Sequence, residues 1–228
     1  MKQLAFEIAP PAPTLDNFIV GANAELLHVL KGLLAGEQPE RFVYLWGGSG
    51  SGKSHLLQSA VNGAKEAGLG AFLISCDKDT VLDSDIAGYD MVAVDDVHHL
   101  SEEAQTGLFN IYNRMREGSG ILLVSGPFAP MHLRVRRDLA TRLGAGLVYQ
   151  VQSLTDEEKA EALKCHAKAR GFVLSQDVVS YLLRYWKRDL PSLMGVLNAL
   201  DRYSLETKRP ITVPLLKELL NLTEEAGK

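Results

Sequence analysis

The most distinctive residues for chemistry are glycines, serines and one lysine in the first quarter of the chain. Positions 47–54 read G-G-S-G-S-G-K-S and fit G-x-x-x-x-G-K-[S/T], a phosphate-binding pattern. Glycines let backbone N–H groups crowd a phosphate, Lys53 would contact the β- and γ-phosphates, and the Ser54 hydroxyl would bind Mg²⁺. The predicted phosphate site consists of Gly47, Gly48, Ser49, Gly50, Ser51, Gly52, Lys53, Ser54 and the adjacent His55.

A strand and a helix must hold this loop in place. The apolar run 42–46 predicts a buried strand before it, and residues 55–67 have the apolar spacing of a helix after it. The helix N-terminus would add partial positive charge beside the phosphate. A glycine-rich loop without a ligand is the alternative, but the order strand, loop, helix is the one that the motif requires.

Two adjacent carboxylates form the second candidate group. Asp95 and Asp96 directly follow the apolar run 91–94, a pattern in which the first acid holds Mg²⁺ opposite Ser54. The second acid would orient or deprotonate an attacking water. A strand end followed by turn-forming acids is the alternative interpretation. The phosphate loop one crossover earlier favours the catalytic interpretation.

Apolar runs alternate with helical patterns through the first two thirds of the chain. Short runs predict buried strands at 42–46, 71–75, 91–94, 121–124 and 147–151. Their alternation with helices predicts an α/β fold, with a five-stranded parallel sheet covered on both faces. In such a fold Ser125, at the end of the fourth strand, can touch the terminal phosphate or its attacking water.

The predicted organisation is a tail, an α/β base and a helical region. Prolines at 10, 11 and 13 make residues 1–13 an extended tail. Residues 14–152 form the nucleotide-binding base. Beyond it, capping signals at Thr155, Ser175 and Asp189 predict helices alone. Residues 153–228 are therefore expected to form a small all-helical subdomain.

Composition narrows the class of protein. The net charge of the 228-residue chain is -4, which gives no general basic character for nucleic-acid binding. No apolar run is long enough to span a membrane, and the N-terminus lacks the apolar core of a signal peptide. Cys76 and Cys165 are far apart and form no ligand pair. We therefore expect a reduced, cytoplasmic protein.

Two further clusters invite a functional interpretation. His98 and His99 are neighbours in the chain and share no face of a helix or strand, so we do not expect them to bind a metal together. Arginines occur at 134, 136, 137 and 142. They form either an anion-binding face or a solvated helix surface, and the pattern leaves both open.

Together these residues resemble the AAA+ ATPases, and most closely the DnaA branch. Residues 14–21, T-L-D-N-F-I-V-G, are similar to a segment beside the adenine in that branch, and we call them the approach segment. The resemblance implies that Phe18, Val20 and Gly21 help to bind ATP or ADP. The Asp-Asp pair, in place of the commoner Asp-Glu, is also DnaA-like. Residues 137–143 resemble the arginine-finger segment, which implies that Arg142 is a finger acting in trans.

The chain's length and its N-terminus resemble the Hda family, the regulatory inactivators of DnaA. The sequence stops after the helical region, so the flanking domains of full DnaA initiators are not expected. Gln3, Leu4 and Phe6 loosely resemble the family's clamp-binding peptide, although Glu7-Ile8 replaces its usual Pro-Leu ending. The resemblance implies two partners, the DnaA initiator and the DNA polymerase sliding clamp (its beta subunit). DNA would be contacted through the clamp, and homo-oligomer formation is left open.

The implied function is control of replication initiation, in which the protein and the DNA-loaded clamp promote hydrolysis of DnaA-bound ATP. Pro127 stands where the family's sensor-1 segment usually has an acid, and Pro191 where its sensor-2 helix usually has an arginine. Arg188 is close but off register. Both changes predict poor γ-phosphate sensing and weak hydrolysis by the chain itself. A nucleotide-gated adaptor that recruits partners to DNA and a self-sufficient ATPase of the helicase-loader type are the alternatives.

Overall fold

The structure, a computed structural model, describes residues 12–186 and 189–226. The predicted clamp-binding residues Gln3, Leu4 and Phe6 lie outside the described residues, as does Arg188. The chain divides into two units, of which one is Ala12–Ser153 and the other includes the residues from Leu154 onward.

The first unit is built on a five-stranded sheet in which every strand pair is parallel, and this confirms the predicted fold class. Its strands are β1 (Phe42–Trp46), β2 (Ala71–Ser75), β3 (Met91–Asp95), β4 (Ile121–Gly126) and β5 (Leu147–Gln150). Their order across the sheet is β2-β3-β4-β1-β5. Parallel strands end at the same edge of a sheet, where ligands of open α/β folds bind. The glycine loop, the acid pair and Ser125 therefore lie along one edge, with β4 between β1 and β3.

Helices cover both faces of this sheet. They are α1 (Ala24–Leu34), α2 (Lys53–Glu66), α3 (Glu102–Glu117) and α4 (Arg137–Leu143). Val43 and Leu45 of β1 belong to the apolar core that contains α1 and α2, whereas Phe42 and Tyr44 belong to the core that contains α3 and α4. Successive strand residues point to opposite faces, so a strand covered on both sides is apolar throughout.

The prediction that residues 71–75 form a buried strand is wrong in part. β2 exists, but only Ala71 is buried, and Phe72 is 39% exposed. Phe72 stacks on Tyr89, with ring centroids 5.3 Å apart. The physical reason is the strand order, because β2 lies at an edge of the sheet and has a neighbour on one side alone. β5, at the other edge, likewise alternates half-buried and exposed residues.

Within the described part of the chain, the second unit contains helices and no strand, as predicted. They are α5 (Asp156–Ala169), α6 (Gln176–Tyr185), α7 (Leu190–Thr207) and α8 (Val213–Ala226). Thr155 and Glu158 form the expected capping box, and the side chains of Ser175 and Asp189 cap the next two helices. None of the helices in the described ranges is both long enough and apolar enough to cross a bilayer.

Candidate functional site

The glycine loop between β1 and α2 has a shape that side chains would disrupt. Gly50 and Gly52 have φ angles of 73° and 102°, in the region that favours glycine. A Cβ on Gly52 would lie 2.8 Å from a ring carbon of Phe18. A Cβ on Gly47 would lie 2.6 Å from the backbone oxygen of Val151. The loop is thus fixed by its own backbone and by two neighbouring segments.

Hydrogen-bond donors gather at this loop. Lys53 begins α2, two residues before the start predicted at His55, and its buried Nζ donates to the carbonyl oxygens of Gly47 and Gly48 at 2.9 Å each. The buried Oγ of Ser51 has no hydrogen-bond partner among the described residues. No side chain caps α2, and its first turn holds no acid. A lysine, an unpartnered hydroxyl and an uncapped helix N-terminus form a donor set that fits a phosphate.

The approach segment runs beside this loop. Besides its closeness to Gly52, the ring of Phe18 lies with its centroid 5.7 Å from that of the His55 imidazole. The Nε2 atom of His55 is 3.2 Å from the carbonyl oxygen of Thr14. Burial lowers the pKa of His55, while the contact with Thr14 opposes this shift. The two segments predicted to hold the two ends of a nucleotide are therefore in contact.

Asn23 is a residue that sequence reasoning missed. Its buried Nδ2 donates to the carbonyl oxygens of Val20 and Gln152, at 3.1 and 2.9 Å, and its Oδ1 accepts the Gln152 N–H at 2.7 Å. Gly21, with a φ of 48°, makes the turn between Val20 and Asn23. Asparagine before a helix is a common N-cap, and this was the one available signal. The side chain caps no amide of α1, however, and bonds to a distant segment instead.

The two acids and Ser125 form one hydrogen-bonded group at the ends of β3 and β4. The hydroxyl of the fully buried Ser125 donates to the Oδ1 of Asp95 and accepts the backbone N–H of Asp96 at 2.9 Å. Asp95 is itself buried. β4 continues through Gly126, past its predicted end, so Ser125 pairs in register with Leu45 of β1. The side chains of Asp95 and Ser125 are therefore in contact, and Asp96 joins them through its backbone N–H. The catalytic roles of all three residues remain predictions.

Asp96 has an unusual backbone for a residue with a side chain. Its φ and ψ angles are 56° and 46°, and a single helical turn, Val97–His99, follows it. The Nδ1 of His98 lies 3.9 Å from the Oδ1 of Asp96 and has no hydrogen-bond partner in the described residues. Burial, and secondarily the charge of His99, lowers the pKa of His98. In the described parts of the chain, no group of three or more His, Cys, Asp or Glu side chains could hold a metal.

Arg142 lies in the last turn of α4, apart from the hydrogen-bonded groups at the sheet edge. Its side chain is exposed, and its guanidinium carbon is 5.7 Å from the ring centroid of Phe109 and 5.8 Å from that of Tyr112, both on α3. Among the described side chains, no carboxylate forms an ion pair with it. Arg136, by contrast, binds Asp138 at 2.7 Å. The arginine cluster is therefore not uniform, and the guanidinium of Arg142 is free of carboxylates within the described residues.

The structure thus places most of the predicted site residues in two groups along one sheet edge. One consists of the glycine loop, Lys53 and the approach segment, and the other of Asp95, Asp96 and Ser125. Ser54 is exposed in the first turn of α2. Its hydroxyl and the Asp95 carboxylate are oxygen donors of the kind that Mg²⁺ prefers, and their role as ligands remains a prediction.

The second unit is similar in sequence to a known family. Residues 156–220 match the family described as Hda, lid domain. This match covers α5, α6, α7 and half of α8. The helical unit is therefore similar to the lid of Hda proteins in sequence, beyond its helical architecture.

Solved structures extend the similarity to most of the chain. DnaA from Aquifex aeolicus, solved with AMPPCP, is 25% identical, and the match covers 86% of this chain and 67% of that chain with a TM-score of 0.70. Domain III of DnaA from Thermotoga maritima is 22% identical over 94% of this chain and 97% of that chain, with a TM-score of 0.72. RuvB from Thermotoga maritima, 14% identical over 94% and 73% of the two chains, shares the fold with a TM-score of 0.67. The chain spans about two thirds of the length of the Aquifex protein. It is a DnaA-like AAA+ protein, related to the replication initiators and close to the Hda family.

Proposed function

We propose that this protein is an Hda-type regulator of chromosomal replication initiation. It binds adenine nucleotide and, with the DNA-loaded sliding clamp, promotes hydrolysis of the ATP that DnaA holds. The observation that carries the proposal is the exposed guanidinium of Arg142, which contacts two aromatic rings and pairs with no carboxylate in the described residues. The Hda-type lid supports the choice of subgroup.

Adenine nucleotide is the proposed ligand of the glycine loop. The hydrogen-bond donors of the loop fit a phosphate, and the similar Aquifex DnaA was solved with the nucleotide analogue AMPPCP. In this proposal Lys53 and the amides of the first turn of α2 bind phosphate oxygens. Ser54 and Asp95 supply oxygen ligands to Mg²⁺, which would neutralise phosphate charge when bound. The approach segment, with Phe18, Val20 and Gly21, contacts the adenine side.

Arg142 would act on a neighbour's nucleotide. A guanidinium is charged at every physiological pH and carries five N–H donors in one plane. Contact with an aromatic face orients it and leaves those donors available. α4 precedes β5, an edge strand of the first unit's sheet, and in this proposal the second protein docks at that side. There the guanidinium would offset charge that develops on the γ-phosphoryl oxygens, an effect worth ~10³–10⁵ in rate in GTPase systems.

Hydrolysis by the chain itself is proposed to be weak. Pro191 lies in the first turn of α7, two residues after the capping residue Asp189, and brings no cation to the sensor-2 position. Pro127 replaces the sensor-1 acid. The intact group of Asp95, Asp96 and Ser125 favours the second candidate, a self-sufficient ATPase. Turnover measured without DnaA distinguishes the two candidates.

The test is hydrolysis of DnaA-bound ATP in the presence of clamp, DNA and this protein. Arg142→Ala should remain folded and bound to nucleotide and clamp, because the exposed side chain forms no ion pair with a described residue. The rate of DnaA turnover that it stimulates should nevertheless fall, by roughly 10³-fold if Arg142 contributes as much as the arginine finger of GTPase systems.

Arg134→Ala is the matched control, since Arg134 is an exposed arginine close in sequence that is not part of the predicted site. It should keep full stimulation. Retention of full activity by Arg142→Ala would contradict the trans-acting finger. No stimulation by the unaltered protein would contradict the regulator and leave the adaptor, and fast turnover without DnaA would support the self-sufficient ATPase.

A further inference from the structure

Asn23 joins two segments that are 129 positions apart in the chain. The residue is 4% exposed, and its side-chain amide makes hydrogen bonds through both the nitrogen and the oxygen. A buried amide that is left without partners is costly, so a fully bonded one holds its neighbours in a single arrangement. The partners of Asn23 are backbone groups, which means that it fixes the course of the chain at both places.

The first partner belongs to the approach segment. Asn23 holds the carbonyl of Val20 through its Nδ2 at 3.1 Å and through its own backbone N–H at 2.8 Å. Two residues before Val20, the ring of Phe18 occupies the space beside Gly52. The position of this ring against the glycine loop therefore depends on the turn that Asn23 closes.

The second partner is the peptide of Gln152. The residue before it, Val151, donates its N–H to the carbonyl of Trp46 at 2.7 Å. The carbonyl oxygen of Val151 would lie 2.6 Å from a Cβ on Gly47. Both segments that Asn23 binds thus contact the glycine loop, one at each end of it. Gln152 and Ser153 are also the last residues of the first unit.

We propose that Asn23 is a positioning residue of the nucleotide site. It holds the approach segment and residues 151–153 in one arrangement against the glycine loop, so that nucleotide binding orders both segments together. The inference rests on the proposed nucleotide binding. Without the amide, the distance between the adenine side and the phosphate side of the site would no longer be fixed. Residues 151–153, which lead into the second unit, would no longer become ordered when nucleotide binds.

Two variants test this proposal with ADP as the probe. Asn23→Ala removes all three side-chain hydrogen bonds. Asn23→Asp keeps the shape but places a carboxylate oxygen against the carbonyls of Val20 and Gln152. The measurements are ADP affinity by calorimetry and hydrogen exchange at the Gln152 amide with and without ADP. In the unaltered protein ADP should slow this exchange, whereas both variants should bind ADP about tenfold more weakly and lose the response.

Asn62→Ala is the matched control. Its Nδ2 also donates to the chain near the approach segment, at the carbonyl of Pro13, but it makes no contact with Gln152. It should retain the exchange response to ADP. If Asn23→Ala fails to fold, Gln152→Pro removes the N–H that Asn23 accepts and leaves Asn23 in place. Because proline has no amide to exchange, this variant is measured by ADP affinity, which should fall about tenfold.

The outcomes separate the two proposals. Folded Asn23 variants that bind ADP with unaltered affinity and keep the exchange response would show a purely structural role and overturn the inference, with the nucleotide site intact. Absence of ADP binding by the unaltered protein would overturn the proposed nucleotide site, and the inference with it.

Discussion

The hydroxyl of Ser125 donates to the carboxylate of Asp95, and the same oxygen accepts the backbone N–H of the next residue, Asp96, at 2.9 Å. One buried side chain on β4 therefore satisfies both a buried charge and a backbone donor at the end of β3. The hydroxyl of Ser125 therefore has a structural role at the two acids, independent of any contact that it makes with a ligand.

Ser125→Ala should lower the free energy of unfolding by about 2–3 kcal/mol, because hydrogen bonds to charged groups contribute ~1.5–3 kcal/mol. Urea denaturation provides the measurement. Ser59→Ala is the control, since Ser59 is also buried but its hydroxyl donates to the carbonyl of His55 within α2, at 2.6 Å. Its loss should be about 1 kcal/mol or less. Equal losses would mean that the hydrogen bond to the Asp95 carboxylate contributes no more than one between neutral groups.

Lys53→Ala should abolish tight binding of ADP and ATP. The change removes the ammonium that lies against the carbonyls of Gly47 and Gly48 and that would neutralise phosphate charge. Calorimetry gives the affinity, with circular dichroism to verify folding. Lys65→Ala, an exposed lysine in the last turn of α2, should bind as the unaltered protein does. A folded Lys53→Ala protein with undiminished affinity would refute the phosphate site.

ATP should bind little better than ADP, and turnover by the protein alone should be slow. Pro191 has no guanidinium with which to contact a γ-phosphate, and Pro127 brings no polar group to the sensor-1 segment. Calorimetry with ADP and a non-hydrolysable ATP analogue, together with phosphate release, measures both. Pro191→Arg should raise the preference for the ATP analogue. A strong preference in the unaltered protein that Arg188→Ala removes would assign the sensor role to Arg188.

Gln3→Ala combined with Leu4→Ala should weaken binding to the sliding clamp. A glutamine amide with the apolar anchors Leu4 and Phe6 suits a hydrophobic pocket with a polar rim. A clamp pull-down measures the loss, while the melting temperature and the ADP affinity should not change. Lys2→Ala serves as the control within the same tail. Clamp binding that is insensitive to the double substitution would remove the tail from the interface.

Local signals predicted the elements well, because each depends on a few neighbouring residues. The order strand, glycine loop, helix around Lys53 and the capping box at Thr155 are both present. The exposure of β2 was not predictable in this way. Whether a strand is central or at an edge depends on the order in which the crossovers place the strands in the sheet. The residues of the apolar run 71–75 do not determine that order.

The residues of the candidate site show the same difference between local signals and contacts that are distant in the chain. Motif spacing pointed to Asp95 and Ser125, because the carboxyl ends of neighbouring parallel strands meet by geometry. The amide of Asn23 and the aromatic rings beneath Arg142 were missed, since each arises from contacts between segments distant in the chain. A polar residue before a helix predicts a cap and gives no sign of a partner beyond the helix.

The left-handed backbone at Asp96 limits which residues the position can accept. Glycine visits this conformation routinely and asparagine and aspartate occasionally, whereas other residues incur a cost of roughly 1–2 kcal/mol. Asp96→Asn therefore removes the charge and leaves the backbone undisturbed. Asp96→Glu keeps a carboxylate but strains the chain, so a substitution that looks conservative becomes the more disruptive of the two.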